Sequence, residues 1–126
     1  MPERIIGRSF MDLETYQKQL FELAGTYEAE MLHYAEAKQV YHRLEDLKKV
    51  KIAQIKDVIT HKYPSMTDTK ASTFALTTVE YKQFLQHLDK ARGLYYELFS
   101  KKDAIYNKMQ ALITLISVEK TKMGLL

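Results

Sequence analysis

Apolar side chains recur every three or four residues along two long stretches of the chain. In the first, Leu13, Tyr16, Leu20, Leu23, Tyr27, Met31, Tyr34, Ala37, Tyr41 and Leu44 follow one another in this way. In the second, Tyr81, Phe84, Leu88, Ala91, Tyr95, Leu98, Ile105, Met109, Leu112, Ile116 and Met123 keep one heptad register, interrupted at Lys102 and Glu119. This period belongs to helices that bury one face along their length. Past Leu44 the first stripe slips and broadens to Leu47, Val50, Ile52, Ile55, Val58 and Ile59, a change expected to alter the local supercoil.

The punctuation between the stripes predicts a fold-back. Pro64 disfavours the helical conformation of the residue before it, so the first helix is expected to end by Tyr63. The Ser/Thr-rich run that follows has turn and capping chemistry. Ser65 with Asp68 predicts a cap on a short helix carrying Ala71, Phe74 and Ala75, whose apolar side would plug the hairpin end. Thr77 with Glu80 predicts a capping box for the second long helix. Residues 1–11, with Pro2, Gly7 and Ser9, read as a flexible arm, and Asp12 as the N-cap of the first helix. The expected fold is a single all-α domain, a long antiparallel helical hairpin. Its parts are an arm over 1–11, helix 1 over 12–63, a connector with a short helix over 64–77, and helix 2 over 78–124.

The second stripe is wide. Leu85, Phe99, Tyr106 and Ile113 flank its seam and make three apolar positions per heptad, the pattern of a bundle helix rather than of a two-stranded pair. Helices of 45–50 residues would run about 70 Å, and one neighbour cannot cover that flank. These four residues are therefore the expected oligomer interface, and the expected partner is a second copy in a twofold four-helix assembly. The alternative is a compact monomer in which the helices break, for which Gly25 and Gly93 on the outer face are the natural places.

Charge supports the fold-back. Between Asp12 and Glu36 there are six acidic residues and one lysine, whereas Lys101 to Lys122 holds five lysines against Asp103 and Glu119. An antiparallel hairpin sets these opposite segments side by side, at about 0.3–0.5 kcal/mol per exposed pair. The net charge of +3 and pI near 9 alone decide nothing about partners.

Little chemistry is implied. Cysteine is absent, which removes disulfides and thiolate chemistry. No secretion signal or membrane-length apolar run is read, so a cytoplasmic location is expected, inside the host if the gene is viral. The wide face of the last helix meets part of the description of a membrane-surface element, but burial against the first helix accounts for it better. Glu30 and His33 match one Glu-x-x-His element of a di-metal bundle, yet Phe84 stands where a partner for His87 should be acidic. Glu30 and His33 are then solvated residues, and no metal or other cofactor is expected. The other histidines, His42 and His61 among them, form no zinc motif, and no glycine-rich phosphate loop or catalytic nucleophile with its base is found. The chain is not expected to be an enzyme.

The second functional reading is nucleic-acid binding. Tyrosines interleaved with Arg43, Lys48, Lys49, Lys51, Lys56 and Lys62, with Lys70 in the connector, would suit a single strand near the hairpin tip, aided by Arg4 and Arg8 of the arm. Tyrosines spaced by seven are more often core residues with hydroxyls at the rim. Glu45, Asp46 and Asp57 also partly offset the basic run.

Residues 80–126 carry a resemblance. Glu80-Tyr81 with Leu85 and Leu88, then Ala91-Arg92, then a continuous helix to Ser117-Val118-Glu119-Lys120-Thr121-Lys122-Met123, follow a Ser/Thr connector and a long first helix. In layout, from about residue 30 onward, this resembles small helical-hairpin proteins of tailed bacteriophages and prophages, often found in early recombination or replication gene clusters. The resemblance implies a viral or mobile-element setting and a role beside strand annealing or host-nuclease control. It implies no catalytic residues, and the basic pI departs from a DNA-mimicking inhibitor.

Overall fold

The computed structural model describes residues 2–124, with side chains at 7, 8 and 10–124. The described residues form three helices, α1 (Pro2–Lys62), α2 (Asp68–Ala75) and α3 (Val79–Lys122), and no strand. α1 and α3 pack against each other as a hairpin, with α2 in the connection.

The helix ends follow local chemistry. α1 starts at Pro2, not at Asp12, so the expected arm over 1–11 is helical from residue 2. Proline suits the first helical position, where its missing N–H has no partner to lose. The side chain of Arg4 lies outside the described residues; that of Arg8 is exposed. α1 stops at Lys62, ahead of Pro64 as expected. The caps of the next two helices each differ from expectation. Thr67, not Ser65, caps α2, accepting from the Lys70 amide at 3.3 Å. Thr78, not Thr77, caps α3, accepting from the Tyr81 amide at 3.3 Å, while the Thr77 hydroxyl donates back to the Phe74 carbonyl. After α3, Gly124 adopts φ 74, a left-handed conformation that glycine takes without a Cβ penalty.

The chain divides into two compact units. The first is Met1–Tyr34 with Leu98–Leu126, the second Ala35–Glu97. In the first, Tyr27 meets Tyr106 with ring centroids 6.2 Å apart and Tyr34 meets Phe99 at 6.0 Å, so the two helices run antiparallel. Leu13, Ile105, Leu112 and Ile116 are buried there. In the second, Ile55 and Ile59 of α1, Ala71 and Ala75 of α2 and Tyr81 of α3 form the core, with Ile52, Met66, Phe84 and Leu85 packed on it. The connector thus closes its end with alanines. Phe74, expected to share that task, points outward. Lys56 and Asp68 form an ion pair between α1 and α2.

The stripe on α1 does not slip as expected. Lys48 and Lys51 stay half-buried and lead on to Ile52, Ile55 and Ile59, whereas Leu47, Val50 and Val58 face outward. Lysine stems cover apolar surface while the ammonium stays wet, so a lysine at a seam position need not end the register. Gly25 and Gly93 lie within continuous helix, and nothing in the chain stands within 4 Å of a Cβ added at either, so neither is a break.

Candidate functional site

The expected interface residues divide between the two units. Phe99, Tyr106 and Ile113 lie in the first, each 44–45% exposed and each one heptad from the next. Tyr27 and Tyr34 lean on two of these rings from α1, so the flank is an aromatic ledge beside the seam. Leu85 is different: it belongs to the second unit and packs on the core closed by α2.

Lys102, which interrupts the apolar register, is accommodated by this ledge. Its ammonium lies 4.8 Å from the Tyr34 ring centroid and 4.5 Å from that of Phe99. Cations over aromatic faces contribute about 0.5–1 kcal/mol each at such partly exposed sites.

α1 contributes exposed apolar residues that the periodic pattern does not single out. Phe21 is 81% exposed, and Phe10 and Leu32 are exposed too. Their signal is negative, since they stand off the buried stripe where polar residues are usual.

Glu30 is buried, not solvated, and binds Lys101 of α3, Oε1 to Nζ at 3.2 Å, while the His33 Nδ1 stands 3.9 Å from Oε2. Glu119, also buried, is held by Lys122 at 3.3 Å. Among the described residues no group of three histidine or acidic side chains is arranged to hold a metal. A groove of about 510 Å³ in the first unit is lined by Leu23, Ala111 and Leu112 together with Glu22 and Lys108.

In the second unit Tyr41, Glu45, Asp89 and Arg92 form a network. Tyr41 donates to Glu45 Oε1 at 3.0 Å, and Arg92 reaches Tyr41, Glu45 and Asp89 at 3.4 Å. The Tyr41 ring stacks on Tyr95 at 5.5 Å. The Tyr41 hydrogen bond is the main reason that the Glu45 carboxyl lies below its ordinary range; partial burial opposes it, and Arg92 and Lys48 add to the lowering. Arg92 is raised in turn, chiefly by its bond to Tyr41. A depressed carboxyl stabilises the fold in full above its unfolded pKa and loses that contribution as pH falls through the folded value. Tyr41→Phe is therefore expected to lower the melting temperature more at neutral pH than in acid, where the contribution fades as Glu45 takes up its proton; melts across that pH range check this.

The basic residues do not line up. Arg43, Lys49, Lys62 and Lys70 are exposed, but Lys48 and Lys51 are half-buried, Lys56 is paired with Asp68, and the Lys62 ammonium sits 5.7 Å from the Tyr63 ring centroid. At about 100° per residue, Lys48, Lys49 and Lys51 point in three directions around α1.

No described helix is long and apolar enough to cross a membrane. No family model matches the chain, and the searches of curated proteins and solved structures found no match to it.

Proposed function

We propose that this chain is a non-catalytic interaction module that works as a self-associated helical hairpin. The observation that supports this reading is the ledge of Phe99, Tyr106 and Ile113, three large apolar side chains left about half exposed in a row on one helix. Single exposed apolar residues are ordinary, but a contiguous row marks a surface that another chain covers. A phage or mobile-element setting rests on the layout resemblance alone. The nucleic-acid reading keeps its exposed cations but lacks the continuous basic stripe that would track a phosphate backbone.

Self-association ties folding to concentration. The melting temperature is expected to rise as the chain is concentrated over two orders of magnitude, because the folded assembly is favoured by mass action. A melting temperature that does not move would count against the proposal.

A further inference from the structure

Resting on the self-association reading, we infer that the partner on the ledge is a second copy of this chain, docked so that α1 of each copy lies along α3 of the other, about a twofold axis parallel to the helices. The inference concerns the first unit alone. The contacts of Tyr27 with Tyr106 and Tyr34 with Phe99 fix which side of α1 shares a face with the ledge. About 100° further round on that side come Glu14, Phe21 and Glu28, all exposed, and the row between them and the seam holds Phe10, Gln17, Ala24 and Met31. The same face of α3 presents Phe99, Tyr106 and Ile113 and ends at Lys120.

Two copies meeting through this face are related by an axis in the interface plane, lying either along the helices or across them. An axis across them sets α1 on α1 and α3 on α3. That places the acidic segment Asp12–Glu36 on its own copy and the lysine-rich segment Lys101–Lys122 on its own copy. Like charges brought together in this way cost several kcal/mol over an interface. An axis along the helices sets acidic α1 on basic α3 twice, and each helix meets its partner antiparallel.

The register then matches residue by residue. Tyr27 is level with Tyr106, so one heptad step along each helix brings Leu20 level with Ile113, and a second brings Leu13 level with Lys120. The outward neighbours are Phe21 and Glu14. Phe21, which touches little of its own chain, thus comes over the partner's Ile113, and Glu14 comes to the partner's Lys120. Neither Glu14 nor Glu28 makes an ion pair among the described residues.

The absence of native cysteine makes the test clean. Phe21→Cys and Ile113→Cys chains, prepared separately, are mixed, allowed to exchange and treated with a short bismaleimide, alongside light scattering of the wild type. The expected result is a wild-type dimer and a linked pair that forms only in the mixture. A wild-type dimer with no link in the mixture, or with Phe21→Cys chains linking to themselves, would overturn this docking and leave self-association standing. A wild-type monomer at every concentration would overturn both and leave the face to a different protein. As a second variant, Phe21→Glu is expected to raise the dimer dissociation constant about ten-fold with helicity unchanged; an unchanged constant would overturn the docking as well.

Discussion

Leu88→Ala is expected to destabilise the protein by about 2–5 kcal/mol, the usual range for removing a fully buried leucine and leaving a cavity. At this chain length that is a fall on the order of 10 °C in melting temperature. Leu88 is 1% exposed and is the largest side chain shut away from solvent this completely among the described residues. The cost is large here because a two-helix seam is thin, so few neighbours can move in to refill the space. Chemical unfolding of both chains at matched concentration reads the difference, and a loss below about 1 kcal/mol would mean that the seam collapses around the alanine.

The second large effect has opposite signs at two partners. Glu30 sits in the seam with its side chain 11% exposed, while Lys101, whose side chain is 59% exposed, neutralises it from the edge. Lys101→Ala leaves the carboxylate in the seam without that cation. The expected loss is about 1–2 kcal/mol, discounted from the fully buried case because water reaches the lysine. Glu30→Leu removes the charge and fills the position with the residue type that the stripe asks for, so its expected effect is neutral or a gain of about 1 kcal/mol. The double variant Glu30→Leu with Lys101→Ala is expected to track Glu30→Leu, because the lysine then has nothing to neutralise. If Glu30→Leu cost as much as Lys101→Ala, the carboxylate would be serving something other than this pair.

Glu30 also shows where sequence reading stops. A regular alternation of three and four from Leu23 through Tyr27 to Tyr34 and Ala37 passes through residue 30, but the eye follows apolar residues and moves to Met31. Lys48 escapes for the same reason, while Lys102 and Glu119, which read as interruptions, belong to the seam itself: each stem packs and its charge finds a ring, a solvent edge or a neighbouring lysine. Apolar periodicity reports which residues prefer burial, not which polar ones a seam can tolerate.

What rests on that preference was legible. The two stripes, the stop before Pro64, the short helix carrying Ala71 and Ala75 and the antiparallel return all follow from period, proline and capping chemistry. The ends were less so. Pro2 and Gly7 suggest a loose arm by composition, yet proline at a first helical position costs nothing, and the adjacent Thr77 and Thr78 offer two caps that only geometry separates. Of the expected interface, Phe99, Tyr106 and Ile113 stand exposed, while Leu85 was drawn into the core by a connector whose packing a heptad count does not contain.

Self-association requires that the half-exposed aromatic ledge be covered by another copy of the chain. Multi-angle light scattering of the purified wild type over a range of concentrations tests this most directly. The expected mass at the upper end is twice the 14.8 kDa of one chain, falling toward 14.8 kDa on dilution. A mass of 14.8 kDa that holds at every concentration would contradict it.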